Sequence, residues 1–336
     1  MHALRWLMLT ATLAAFSMLG ACSGDDGPKV VVYNAQHEEL ISVVAEAFTE
    51  ETGIKVELRN GSDLELANQI VTEGDASPAD VFLTENSPAM AFVGSRDLLA
   101  PLGATTLENI PARFRAADDH WTGFAARSTV LAYNTDQVST EELPDSLMEL
   151  AEPQWRDRIS FSPTGADFQA IVAAVLDLEG EEATREWLEG IKANGTVYDG
   201  NNVVLESVNS GQSDAGVIYH YYWYRDQEES GVNSDNTALH YFEAGDPGAF
   251  LSLSGAALLA NGDNPEQAQE FLDYLTGTEG QQVIADSYAL EFPLNPAVQL
   301  DRAGVPALSE LSPPEVDSAD LDSETVIRLM TDVGFL

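Results

Sequence analysis

Three short apolar runs separated by helical periods constrain this chain more than any other feature. Val30-Val31-Val32-Tyr33 is a β-branched run that reads as a buried strand. Beyond the turn Asn34-Ala35-Gln36-His37, Leu40, Ile41, Val44 and Phe48 recur at helical spacing up to Gly53. Ile54 to Leu58 reads as a second strand. Ser62-Asp63-Leu64-Glu65 reads as a capping box opening a helix that ends at Gly74, and Asp80-Val81-Phe82-Leu83 as a third strand. Strands alternating with helices over short connections give a parallel, doubly wound sheet, because parallel neighbours need a crossover between them.

Trp121 to Tyr133 reads as a strand that leaves this first unit, with Arg127 on it. After a loop and short helix over Pro144 to Trp155, a second set begins. It opens with a strand at Ile159-Ser160-Phe161, then the turn Ser162-Pro163-Thr164-Gly165-Ala166 into a helix running to Leu178. A helix from Glu181 to Lys192 stops before Gly195, Thr196 to Tyr198 is a short strand, and Asp199 to Asn202 caps a helix from Val203 to Asn209. Ala215-Gly216-Val217-Ile218 is a buried strand, and Phe250 to Ala260 returns as a small-residue strand. Helices over Pro265–Gly277 and Thr278–Ser287, an acidic loop and a last helix over Ser323–Asp332 complete the chain.

Residues 1–21 are expected to be a cleaved leader. Arg5 gives a thin positive start, Leu7 to Met18 is apolar but too short to span a bilayer, and Leu19-Gly20-Ala21 precedes Cys22. Cys22 is the single cysteine of the chain, and its place resembles a bacterial lipobox, in which that residue is acylated. The expectation is an exported protein tethered by residues 22–29 and lying on the membrane without crossing it. The remaining chain of about 315 residues is beyond the size at which one core keeps growing, so two domains are expected. With 56 acidic against 15 basic residues, a net charge of −41 excludes the basic footprint that nucleic acid needs. With no further cysteine, any metal must be held by oxygen and nitrogen ligands.

Tyr219-His220-Tyr221-Tyr222-Trp223-Tyr224 follows the Ala215 strand and runs into the polar helix face Arg225-Asp226-Gln227-Glu228-Glu229. The carboxyl ends of strands form the ligand side of open α/β sheets. His37 and Glu85 each come just past a strand end and are expected to face the same crevice. The rings fit two readings: half-wet core aromatics, or phenol ligands for a hard, highly charged cation that lowers their pKa from roughly 10. Groups from the strand ends of two lobes suit a binding protein that closes on its ligand by a hinge. The chain carries no G-x-S-x-G, G-x-x-x-x-G-K-[ST] or H-E-x-x-H motif.

Tyr33-Asn34-Ala35-Gln36-His37, Asp80-Val81-Phe82-Leu83-Thr84-Glu85 and Tyr221-Tyr222-Trp223-Tyr224 resemble segments of the bacterial ferric-ion-binding proteins, the bacterial transferrins of ABC iron importers. So do Glu51-Thr52-Gly53-Ile54-Lys55-Val56, Pro247-Gly248-Ala249 and Ser254-Gly255-Ala256-Ala257, in the same order from about Val30 to the C-terminus. The resemblance implies an α/β, two-lobe periplasmic-binding-protein fold of type II, each lobe a doubly wound sheet flanked by helices, joined by hinge strands. Its N-terminal lobe would comprise 30–127 and 252–302, and its C-terminal lobe 128–251 and 303–336. It implies Fe(III) held by His37, Glu85, Tyr221 and Tyr222. A synergistic anion, carbonate or bicarbonate or phosphate, would rest on Thr164, Gly165, Ala166 and Asn201, at helix N-termini that favour anions. Arg127 has a counterpart that would either offset anion charge or form a structural ion pair at the hinge.

The chain departs from that pattern at Asn86, Tyr219 and His220, which offer extra contacts to the site, and at Asp167, a fixed negative charge beside the implied anion. The function implied is that of a monomeric binding protein, not an enzyme, that delivers Fe(III) to an ABC permease and ATPase. It would work from the outer face of the cytoplasmic membrane or in the periplasm. A two-lobe receptor for a polyamine, an oxyanion or chelated iron, and an exported enzyme on the same fold, remain the alternatives. Cys22→Ala is expected to move the protein from the membrane fraction to the soluble one. An unchanged distribution would contradict lipid anchoring.

Overall fold

The computed structural model describes residues 27–316 and 321–336. The expected leader, Cys22 and the start of the tether lie outside the described residues. The chain opens with β1 (Lys29–Asn34), α1 (Glu38–Thr52), β2 (Lys55–Asn60), α2 (Asp63–Glu73), β3 (Val81–Leu83) and α3 (Ser87–Gly94). It continues through β4 (Leu99–Ala100), α4 (Ala104–Asn109), β5 (Trp121–Asn134), β6 (Ile159–Phe161), α5 (Ala166–Asn194), β7 (Gly195–Val197) and α6 (Asn201–Asn209). Then come β8 (Ala215–Tyr219), α7 (His220–Glu229), β9 (Thr237–His240), β10 (Leu251–Leu259), α8 (Pro265–Thr276), α9 (Thr278–Asp286), β11 (Phe292–Pro293) and α10 (Ser323–Val333).

The strands join in the order β2-β1-β3-β10-β5-β8-β6-β7, with β4, β9 and β11 pairing from the side. β1 is parallel to both β2 and β3, with Val32 beside Val81. β10 then enters antiparallel to β3 and β5. The sheet is therefore mixed, where β-α-β-α-β alone predicts parallel pairing, because the chain returns from its second half before laying down β10. β5 is buried along its whole length. Its residues Trp121–Ser128 pair with β10, and Thr129–Asn134 pair with β8 and β9. One strand thus belongs to both halves of the molecule.

Strand alternation sorts the core. Val30 and Val32 face α1 and α8, packing with Leu40, Val44, Phe48, Phe271 and Leu275, whereas Tyr33 and Phe82 face the opposite layer with Leu66 and Ile70. In the second half α6 lies close on β8. A Cβ on Gly216 would stand 2.5 Å from Val204 Cγ1, so only glycine lets the helix approach this strand.

Local differences from the sequence expectation have local causes. The Ser62 hydroxyl accepts the Glu65 N–H, which is the forward half of the expected capping box. The two helices expected around Gly180 form one element, α5, broken at that glycine by φ 80° and ψ 171°. α6 starts at Asn201, two residues early, because Gly200 at φ 102° turns the chain into it. Strand β9 carries no β-branched run, and β4 and β11 are two residues each, so none had a period to read.

Candidate functional site

Five strand-to-helix junctions converge, and each is held by its own polar contacts. At the end of β1, the Asn34 side chain accepts the Gln36 N–H (3.1 Å) and donates to the Gln36 carbonyl (2.9 Å), which closes a local turn. Gln36 accepts the His37 N–H through its side-chain oxygen (2.6 Å). At the end of β3, the buried Asp63 carboxylate accepts the N–H groups of Glu85 (2.9 Å) and Asn86 (3.0 Å), fixing the Glu85 turn. Burial pushes the Asp63 pKa up to about 7 against the pull of those two N–H groups. At the end of β8, Tyr219 is extended and α7 begins at once, so Tyr221 and Arg225 share one helix face and His220 and Tyr224 another.

The structure brings His37, Glu85, Tyr221 and Tyr222 together. His37 Nε2 is 3.7 Å from Glu85 Oε1. The His37 ring meets Tyr221 edge-on with centroids 5.7 Å apart, and Tyr221 stacks on Tyr222 at 4.2 Å. The Tyr221 hydroxyl is buried and has no hydrogen-bond partner. Burial first, then the Asp167 carboxylate, raises the pKa of both phenols and of Glu85 well above their usual ranges. Among the described residues no three His, Cys, Asp or Glu side chains are arranged to hold a metal. The donor set therefore depends on its two phenols.

Asp167 is the hub of the second half of the site. Its Oδ2 accepts from Asn201 Nδ2 (2.9 Å) and from the Tyr222 hydroxyl (3.1 Å), and its Oδ1 from Asn86 Nδ2 (3.5 Å). The Tyr219 hydroxyl donates to the Asp167 carbonyl (3.1 Å). Asn86 comes from the first half of the chain and is held in turn by Ser252 (2.7 Å). Thr164 is exposed, and Gly165 precedes the first turn of α5 with no side-chain cap.

Arg127 is fully buried beneath these groups. Its Nη1 lies 3.6 Å from Glu85 Oε1 and 3.7 Å from Glu291 Oε2, and its guanidinium sits over the Tyr219 ring. Those distances make ion pairs rather than hydrogen bonds, in keeping with its unpartnered nitrogens. Burial opposes the Arg127 charge, but Glu291 and Glu85 more than offset it. His220 points away from the donors: its Nδ1 accepts the Ser128 N–H (3.2 Å), its Nε2 pairs with the Leu290 carbonyl (3.0 Å), and its ring stacks on Phe292. On the rim, Arg225 lies over both Tyr221 and Tyr288, spanning the cleft.

Glu291 is absent from the sequence reading, and Asp63 enters it only as part of the helix-opening motif Ser62-Asp63-Leu64-Glu65, not as a site residue. Glu291 interrupts the apolar stretch Ala289-Leu290-Glu291-Phe292, and that lone carboxylate in a buried run is the signal that marks it. Asp63 sits in a helix-opening position where an acidic residue is ordinary.

The profile of the bacterial extracellular solute-binding protein family matches residues 76–315. The chain is 49% identical over 97% of its length to the Fe(3+)-binding periplasmic protein of Serratia marcescens, covering 97% of that protein. It is 36% identical to the major ferric iron-binding protein of Neisseria meningitidis, over 98% of both chains. Among solved structures, iron-bound HitA from Pseudomonas aeruginosa superposes with a TM-score of 0.85 at 39% identity, over 91% of this chain and 99% of that one.

The burial of His220 sets a pH dependence. Burial lowers its pKa from the ordinary 6.5 to about 3, so the unfolded chain takes up the proton first as pH falls. Its contribution to stability is full above the unfolded value and is lost towards the folded one, at up to about 1.4 kcal/mol per pH unit. The melting temperature of the native protein is expected to fall more steeply between pH 6.5 and 4 than that of His220→Gln. Equal slopes in thermal scans would contradict a neutral buried His220.

Proposed function

The chain belongs to the bacterial extracellular solute-binding protein family, and from that premise we propose that it binds Fe(III) between its two halves and delivers it to an ABC-type iron importer. The family consists of binding proteins rather than enzymes. The observation that carries the reading is Tyr221, whose buried hydroxyl has no partner and whose ring stacks on Tyr222 and meets the His37 ring, itself 3.7 Å from Glu85. An unpartnered buried hydroxyl costs about 1–3 kcal/mol, a penalty removed when it loses its proton to a metal. Three oxygens and an imidazole suit a hard cation, and Glu85 with two phenolates balances three positive charges. Both phenols hold their protons in the iron-free protein, because burial raises values that already lie at about 10, so iron binding releases protons and tightens as pH rises.

The resemblance implies an exogenous anion on Asn201 and the loop Thr164-Gly165-Ala166. Here Asn201 and Tyr222 both point at the Asp167 carboxylate. The chain's own carboxylate therefore stands in for carbonate, bicarbonate or phosphate, and Arg127 offsets the charge of Glu85 and Glu291 rather than that of an anion. The working protein is a monomer tethered through Cys22 to the outer face of the membrane, where it docks on the permease of a permease–ATPase pair.

Titrating the protein with Fe(III) in buffer free of carbonate, bicarbonate and phosphate tests this. One iron per chain and a visible phenolate-to-iron charge-transfer band are expected without any added anion. Tyr221→Phe and Tyr222→Phe should each weaken binding by more than about 100-fold, since outer contacts alone are worth 10- to 100-fold. Tyr224→Phe should not, because its hydroxyl donates to the Gly304 carbonyl. Colour and stoichiometric iron in the double phenol variant would contradict the donor set. A requirement for added anion would restore the exogenous one.

A further inference from the structure

Glu291 is a fully buried carboxylate that the donor set leaves unused. It follows α9, far in sequence from β1, yet its Oε1 lies 3.3 Å from His37 Nδ1. Its Oε2 accepts from Gln36 Nε2 (3.2 Å) and from the Ser254 hydroxyl (3.2 Å), and faces Arg127 Nη1 at 3.7 Å. Gln36 itself accepts the His37 N–H and donates to Ser254 (2.6 Å). The carboxylate is thus held from three sides, with its remaining oxygen aimed at one nitrogen of one imidazole.

A neutral imidazole has a single N–H, and the hydrogen bond made by one nitrogen decides which nitrogen is left with a lone pair. A carboxylate at Nδ1 can only accept. It therefore keeps the proton on Nδ1 and leaves Nε2, the nitrogen 3.7 Å from Glu85 Oε1, as the free donor. An imidazole without such a partner favours the proton on Nε2, which would block that donor. The geometry points to Glu291 as the positioning residue for ferric-ion capture: it fixes the His37 tautomer and ring orientation so that Nε2 meets the metal. This rests on the ferric-ion reading of the site. Arg127 completes the device by pairing with both carboxylates, so that Glu85 stays on the metal side of the histidine and Glu291 behind it.

The test reads the imidazole nitrogens of His37 by 15N NMR in the iron-free full chain at neutral pH, assigned by loss of the signals in His37→Gln. Fe(III) affinity is measured alongside by competition with citrate. The native protein should show the Nδ1–H tautomer. Glu291→Gln, which keeps an acceptor oxygen but no charge, should retain that tautomer and most of the affinity. Glu291→Ala should shift His37 towards the Nε2–H form and lose about 10- to 100-fold in affinity. An Nε2–H tautomer in the native protein, or native affinity in a variant whose His37 has lost the Nδ1–H form, would overturn the assignment, and the first of these is read even if Glu291→Ala fails to fold. Failure of the ferric reading itself is distinct, since the native protein would then bind no iron whatever its tautomer.

Discussion

The charge of Arg127 is the constraint on which the rest of the site depends. An ionised side chain deep in a protein costs several kcal/mol unless it is paired, and Arg127 is paired with two carboxylates at once. It stands on β5 two residues before Thr129, where the pairing of that strand passes to the second half. Glu85 arrives from the end of β3, and Glu291 from the segment after α9. The three groups thus hold together elements that are distant in sequence, directly beneath the place where the two halves meet.

The same pairing divides labour between the carboxylates. Glu291 is fully buried, and although burial alone would raise its pKa, Arg127 and His37 hold it below the usual value. Glu85 keeps partial access to the cleft and a raised pKa. Glu291 is thus a fixed charge behind the histidine, while Glu85 is the carboxylate that reaches the cleft. Across the cleft, Asp167 gathers Asn201, Tyr222 and Asn86 into one hydrogen-bonded set, and Asn86 belongs to the first half. The Asn86–Asp167 contact thus bridges the two halves directly beside Tyr222.

Much of this was legible in the sequence, because it follows from strand ends. His37, Glu85 and the tyrosines sit immediately after runs whose β-branched or apolar character marks them as strands, so their convergence could be read from spacing. Asp167 stood out as a departure, but its role as a hub could not be read, since that depends on where α6 delivers Asn201. Glu291 carried one signal, a lone carboxylate in an apolar run, but its role could not be read for a similar reason. Its partners are supplied by β1, β5 and β10, and the two-residue strand β11 that places it has no periodicity. His220 misled in the other direction: its position beside the phenols suggested a contact, whereas the first turn of α7 aims it at Phe292.

The most direct measurement is an anomalous difference map at the iron edge, from crystals of the Fe(III)-loaded chain grown without carbonate, bicarbonate or phosphate. The predicted result is one strong peak bounded by His37 Nε2, the Glu85 carboxylate and the two phenolate oxygens, with the Asp167 carboxylate on its remaining side. A peak at any other place on the chain, or none in crystals of protein incubated with excess Fe(III), would contradict iron binding by these residues.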